Sequence, residues 1–395
     1  MPEPPIRIAE RVRAMSGEGA MAVFTRAYEL ERQGRSIVQL EAGEPEYHPA
    51  PCVIEAAERA LRAGRDRYCA PLGLRDLRGA IAGFLNTTRG LRVGAEEVAV
   101  IPSGKFAYYL AMQAMVEPGD EVLVPEPAYP AYPSVVRSLG AEPVGYALRE
   151  ENGLQPDLAE VAAKISPRTR VLVMCSPNNP TGTVYSWGVL EGLAELARRH
   201  DLAVVSDEIY ARMVYAGGFT SIAGLEGMAE RTVILDGFSK SFTMTGWRLG
   251  YAVAPRAVVR ALEMLIINSF TCAPEFIQVA ALAALEDRDG QVEAHWQIML
   301  AGYRRKRALF AGGLRDLSGV HCRMPEGAFY AWARFDGCDD GEAMQERLLE
   351  EAGVAAVAGG GFGPTGKPYL RFSFAGKEAE LEEGLRRIRG TMGIC

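Results

Sequence analysis

The sequence predicts an α/β protein: a large, mostly parallel sheet between helices, joined to a smaller α+β domain. Three observations carry this reading. Short β-branched runs alternate with helix-like stretches through the middle of the chain, the pattern of βαβ units. Several runs, such as Val171-Leu172-Val173-Met174, are continuously apolar, as strands are when helices cover both faces of a sheet. After about residue 290 the alternation gives way to a long amphipathic stretch and then to mixed strands and helices.

Taken in order, the N-terminal region holds a helix-like segment, Arg11–Glu31, and an isolated apolar run, Ile37–Leu40. Both are placed with the smaller domain or at a subunit contact. Strands are expected at Val98–Ile101, Glu121–Val124, Arg170–Cys175, Leu202–Ser206, Thr232–Leu235 and Leu249–Val253. Helical periodicity marks Phe106–Val116, Ala131–Leu139, Trp187–His200 and Ala257–Ile267 between and after them. Then come an amphipathic helix over Val292–Leu314, the run Ala328–Arg334, a helix near Glu342–Glu351, a strand at Tyr369–Phe374 and a terminal helix from Glu378. The expected division is a large α/β domain at residues 48–290 and a small domain built from residues 1–47 and 291–395.

Composition narrows the function. With 395 residues, 48% hydrophobic, and a net charge of −7, the chain has ample core, and its acidity argues against a nucleic-acid or anionic-membrane partner. Its longest uncharged stretch, Val171–Leu190, is broken by Ser176-Pro-Asn-Asn-Pro-Thr-Gly182, so no membrane span is expected. Met1–Pro5 has neither a basic nor an apolar region, and no signal peptide is read there. The seven cysteines (Cys52, Cys69, Cys175, Cys272, Cys322, Cys338 and Cys395) are scattered without a CxxC pair, which suits free thiols in the cytoplasm. His48, His200, His295 and His321 share no ligand spacing, and no metal site is expected.

The chemistry lies in the turns at the strand ends. Ile101 leads into Pro102-Ser103-Gly104-Lys105, Cys175 into Ser176–Gly182, Ser206 into Asp207-Glu208-Ile209-Tyr210, and Asp236 into Gly237-Phe238-Ser239-Lys240. Ligands of open α/β sheets bind beyond the carboxyl ends of the strands, so Ser103, Asn179, Asp207, Tyr210 and Lys240 are expected to share one pocket. The turn Ser103-Gly104-Lys105 offers a hydroxyl and backbone N–H groups at a helix N-terminus, which suits a phosphate, and Arg248 could add a bidentate guanidinium. A lysine in a dry, cation-rich pocket loses its proton and can form a Schiff base. A carboxylate such as Asp207 can keep a pyridine nitrogen protonated, which makes the ring an electron sink. Together these describe a site for pyridoxal 5'-phosphate.

The motifs Leu40-Glu-Ala-Gly43-Glu-Pro45, Tyr68 with Gly73–Arg78, Pro125–Pro130, Ser176–Gly182 and Ser206–Tyr210 succeed one another along the chain. Phe238-Ser239-Lys240 through Gly246-Trp-Arg248-Leu-Gly250, Pro325–Tyr330 and Tyr369–Phe374 complete the series. In this order they resemble the class I/II aminotransferases of the fold type I pyridoxal-phosphate enzymes, closest in kind to an aspartate-aminotransferase-like subgroup. The resemblance implies that architecture and a set of roles. Lys240 would carry the cofactor and shuttle the substrate proton, Asp207 would pair with the pyridinium, and Tyr210 and Asn179 would bond the ring's phenolic oxygen. Tyr129 would stack on the ring beside the substrate. Ser103, Gly104, Lys105, Ser239 and Arg248 would surround the phosphate, with Tyr68 reaching it from a neighbouring subunit. Arg371 would clamp the substrate α-carboxylate, with Asn179 and the Gly43 backbone beside it.

One position departs from the family: many relatives place Ser or Thr three residues before the lysine, where this chain has Gly237. Ser239 or Ser103 is the expected substitute. Lys105 stands where a subgroup binds the distal carboxylate of acidic substrates, which implies aspartate or glutamate as donor and 2-oxoglutarate as acceptor. Ala20, Met21 and Phe24 near the same pocket are apolar and suit an aromatic or aliphatic substrate instead. A homodimer with shared active sites, cytoplasmic and serving amino-acid metabolism, is implied as well. The alternative on this scaffold is a pyridoxal-phosphate lyase of the carbon–sulfur β-lyase type, or an oxidase. Gly361–Lys367 fits a nucleotide phosphate loop only superficially, since Pro368 is next and a strand comes after it; the segment is expected to be a loop ahead of Arg371.

Overall fold

The computed structural model describes residues 6–392 apart from residues 14 and 16. Cys395 and the Met1–Pro5 segment, where no signal peptide is read, lie outside the described residues.

The strands are β1 (Val38–Gln39), β2 (Val98–Ile101), β3 (Glu121–Glu126), β4 (Glu142–Ala147), β5 (Thr169–Cys175), β6 (Ala203–Asp207) and β7 (Thr232–Gly237). They continue with β8 (Gly250–Val253), β9 (Val320–Cys322), β10 (Tyr330–Phe335), β11 (Val354–Ala355), β12 (Val357–Ala358) and β13 (Tyr369–Ser373). A seven-stranded sheet runs in the order β2-β8-β7-β6-β5-β3-β4. Only β8 is antiparallel to its neighbours. All four residues of β2 and of β8 are buried, as expected for strands with helices on both faces.

The expected strands are all present, and two extend in a direction that matters: β6 ends on Asp207 and β7 on Gly237, so the reactive turns begin where the sheet stops. The sequence reading missed β4. It is an edge strand, half exposed at its start and interrupted by Pro143 and Gly145, so it shows no apolar run. Helices Pro51–Arg62, Arg75–Arg89 and Glu275–Glu286 are likewise absent from the sequence reading. The first and third pack on each other through small residues, with Ala56 and Ala57 in one cluster with Ala280, Ala281 and Ala284.

A second sheet, β12-β13-β10-β9, is antiparallel throughout. The isolated run at Ile37–Leu40 becomes β1, which pairs in parallel with β11 at Val38↔Val354. Helix Gly19–Arg32 lays Val23, Ala27 and Leu30 on Leu349 and Ala355. The single helix expected over Arg11–Glu31 is instead two, Glu10–Arg13 and Gly19–Arg32. Gly17 and Gly19 flank Glu18, whose extended backbone (φ −84°, ψ 119°) starts the second helix, and glycine is a poor helix former. That break sets Glu18 at the wall of a cavity beyond the carboxyl ends of the large sheet's strands. Helix Gln291–Arg315 joins the two regions, and its core contacts run from Tyr210 and Met213 beyond β6 to Phe329 and Phe372 of the second sheet. Among the described residues no helix is long and apolar enough to cross a membrane.

Candidate active site

The cavity, of about 540 Å³, opens at the carboxyl ends of β2, β5, β6 and β7 and is closed from above by β13 and the N-terminal segment. Asp207 lies half-buried at its floor. Its Oδ2 accepts a 2.6 Å hydrogen bond from the Tyr132 hydroxyl and its Oδ1 one of 3.1 Å from the Ile209 N–H. Burial pushes this carboxyl up to about 6, against the pull of those two bonds. A dry carboxylate of this kind is a ready partner for a cation that arrives with a ligand.

Lys240 lies just past β7 and donates from Nζ to the Gly43 carbonyl. Burial, helped by the nearby charges of Arg371, Arg248 and Lys105, lowers the ammonium to about 8, although Glu44 opposes the shift. Gly43 has to be glycine here, because a Cβ would strike the Tyr330 hydroxyl. That hydroxyl in turn shares a 2.7 Å hydrogen bond with the Tyr210 hydroxyl.

Two strained residues mark the anion end. Ser103 has φ 106° and Arg248 φ 56°, conformations that side chains other than glycine avoid and that cluster at functional sites. Ser103 caps helix Gly104–Met115, its Oγ accepting from the Phe106 N–H at 3.3 Å, so the positive end of that helix faces the cavity. Gly250 lets this turn close on β8, since a Cβ there would lie 2.7 Å from the Ser103 carbonyl carbon. The family's missing hydroxyl now has a reason. Gly237 pairs with Gly250, and a Cβ on Gly237 would sit 2.7 Å from Gly250 Cα and 2.9 Å from Leu249 O, leaving no room for Ser or Thr. Ser103 and Ser239 both line the cavity in its place.

Arg371 reaches in from β13. Its Nη1 donates to Asn179 Oδ1 at 3.1 Å and its Nη2 to the Glu41 carbonyl at 2.6 Å, while its guanidinium stacks 4.6 Å from the Tyr330 ring centre. Its Nε has no partner among the described residues, a donor left over for a ligand. Farther out, Glu18 Oε1 accepts from Lys105 Nζ and, at 2.7 Å, from the Tyr129 hydroxyl. Ala20, Met21 and Phe24 line the same end, as expected.

The structure thus gathers Gly43, Ser103, Gly104, Lys105, Tyr129 and Asn179 with Asp207, Tyr210, Ser239, Lys240, Arg248 and Arg371 around one cavity. It does not bring Tyr68 there: that ring is 86% exposed and outside the lining of its own chain's cavity. Sequence reasoning missed Tyr132, which stands two residues beyond the Pro125–Pro130 motif. It also missed Glu18, for which no local signal existed, and a buried cluster behind the floor. In that cluster Arg89 pairs with both Glu208 and Asp236, with Tyr251 donating to Asp236 at 3.0 Å. Among the described residues no three metal-capable side chains come together.

A family model of class I and class II aminotransferases matches residues 35–388. The chain belongs to that family. An aspartate/prephenate aminotransferase of Thermus thermophilus is 39% identical over 386 residues, covering 98% of this chain and 99% of the relative. An arginine–pyruvate transaminase of Pseudomonas aeruginosa is 38% identical over 388 residues, 97% of each. A solved structure of the Thermus thermophilus aspartate aminotransferase with maleate superposes with a TM-score of 0.94 at 40% identity, over 98% of this chain and all of that one. The fold is therefore that of the fold type I enzymes, and the aminotransferase depends on pyridoxal phosphate. The cavity fits this cofactor on its own evidence: a dry carboxylate, a lysine with a lowered pKa and a helix N-terminus beside Arg248 stand around one space.

Proposed function

We propose that this aminotransferase carries an amino group between an L-amino acid and 2-oxoglutarate in a ping-pong cycle. The observation that carries the reading is that Lys240, Asp207 and Arg371 face one cavity from three different elements. Bound pyridoxal phosphate supplies the electron sink for loss of the substrate Cα proton. Asp207 holds the ring nitrogen charged, and Tyr210 and Asn179 donate to the ring's oxygen. Tyr129 stacks beside the ring. Ser103, Gly104, Ser239 and Arg248 take the phosphate, to which Lys105 adds positive potential. Lys240 Nζ, whose burial lets it shed its own proton near pH 8 instead of above 10, would accept the Cα proton and return it. Arg371 receives the α-carboxylate as a planar fork.

For the donor, Lys105 and the aspartate-named relatives favour an acidic side chain. The Glu18–Lys105 pair and the apolar wall of Ala20, Met21 and Phe24 favour an uncharged one as a second reading. We also assign the large domain to residues 48–290, with the rest in the small domain, and a cytoplasmic homodimer. Support for the dimer is the set of exposed apolar side chains Tyr68, Ile54, Leu61, Met264 and Ile267, with Tyr68 free to reach a second copy's phosphate.

The test is spectroscopic. Glutamate should bleach the yellow absorbance of the cofactor-loaded protein, and 2-oxoglutarate should restore it. Pyruvate and ammonia released with no need for an acceptor would identify a lyase instead. A panel of amino donors against 2-oxoglutarate then ranks acidic against uncharged side chains.

A further inference from the structure

The outer end of the cavity carries a cation, Lys105, and the chain has already given it a counter-ion. Glu18 Oε1 sits on Lys105 Nζ and takes a second hydrogen bond from Tyr129, the residue assigned to the cofactor face. Lys105 Nζ also lies 5.5 Å from the centre of the Tyr129 ring, so lysine, carboxylate and ring form one assembly. Glu18 is no stray surface side chain: its side chain is 30% exposed, and the break between the two N-terminal helices places it at the site. Although burial pushes its carboxyl up, the bonds from Lys105 and Tyr129 hold it below the ordinary range, so it is ionised.

A substrate's distal carboxylate and Glu18 therefore compete for the same ammonium. An acidic substrate exchanges one ion pair for another and gains little by it, and leaving Glu18 in place would set two like charges side by side. An uncharged side chain meets a closed, neutral pair and rests on Ala20, Met21 and Phe24. Building on the aminotransferase reading, we propose that Glu18 is a specificity-determining residue that stands in for the substrate's distal carboxylate on Lys105. Acidic substrates bind by displacing it, and uncharged ones bind with the pair intact. One pocket can then serve both halves of a ping-pong cycle in which only one partner is a dicarboxylate.

The experiment uses the cofactor-loaded protein and two unreactive acids, maleate and 3-phenylpropionate, with affinities measured by calorimetry. Glu18→Gln should raise the maleate-to-phenylpropionate affinity ratio about tenfold or more, since the freed ammonium gains an unopposed partner. In a Lys105→Met background the same substitution should leave that ratio where it was. An unchanged ratio after Glu18→Gln, or an equal rise without Lys105, overturns the proposal. The readout needs no turnover. A protein whose absorbance never responds to amino acids would sink the aminotransferase reading, while the maleate ratio would still decide Glu18.

Discussion

The Tyr132 hydroxyl donates a 2.6 Å hydrogen bond to Oδ2 of Asp207, the carboxylate at the floor of the cavity. Tyr132 is fully buried, packed against Tyr108 at 5.0 Å and edge-on to Tyr129 at 5.7 Å, so the bond is held by aromatic packing. It is a positioning contact: it stabilises the ionised form of Asp207 and fixes the direction in which the other oxygen faces.

Tyr132→Phe keeps the ring and removes only that donor. A hydrogen bond to a charged group contributes about 1.5–3 kcal/mol, so affinity for pyridoxal phosphate should fall roughly 10- to 100-fold. Equilibrium dialysis checks it, and the absorbance of the bound cofactor should become more pH-sensitive as Asp207 loses its hold on the ring nitrogen. Unchanged affinity and spectrum would mean that the bond does not tune the carboxylate.

Lys240 sets a pH dependence for cofactor capture. Its folded-state pKa is lowered to about 8 from 10.5, so the neutral, nucleophilic amine gains ground as pH rises and saturates above about 8. The rate at which cofactor-free protein takes up pyridoxal phosphate should rise with pH and level off there. Arg371→Met removes one of the charges that lower it and should move the plateau upward. Stopped-flow absorbance reads both.

Arg89 is the last residue of its helix, its side chain only 3% exposed, and it neutralises Glu208 and Asp236 behind Asp207. Arg89→Leu would strand two buried carboxylates and should destabilise the protein by about 3–5 kcal/mol, measured by denaturant unfolding. Adding Asp236→Asn should recover part of that loss, because one stranded charge is gone. A second substitution that makes matters worse would show that Asp236 is held by its other partners, Tyr251 and the Gly237 N–H.

Glu41 lies two residues before Gly43, neither carboxylate oxygen bonded among the described residues, and burial pushes its carboxyl up to about 7 from 4.5, against the field of Arg371. A carboxyl raised in this way favours folding below 4.5, and that contribution is lost as pH rises through about 7. Glu41→Gln cannot ionise. It should therefore raise Tm above about pH 7, by up to about 3 kcal/mol of stability, and the gain should vanish near pH 4.5. Thermal melts across that range decide it.

Much of the site was legible along the chain because its residues stand at strand ends, where a parallel sheet delivers ligand contacts whatever the loops do. Asp207 and Lys240 come after apolar runs whose burial is a local property, and Ser103 precedes a helix whose periodicity is local too. Arg371 was readable from its motif, but its fork depends on Asn179 and on the Glu41 carbonyl, which lie 192 and 330 residues away.

What tertiary structure alone decided was everything that depends on distance across the fold. Only the pairing of β7 with β8 explains why Gly237 cannot bear a hydroxyl. Only the parallel pairing of β1 with β11 gives the lone run near Ile37 a place. The Glu18–Lys105 pair and the Arg89 cluster join residues separated by 87 and by as many as 147 positions. Periodicity and turn chemistry act over a few neighbouring residues, so they determined most of the elements and which polar residues stand at their ends. Which charges neutralise one another depends on how those elements pack, and no local pattern records it.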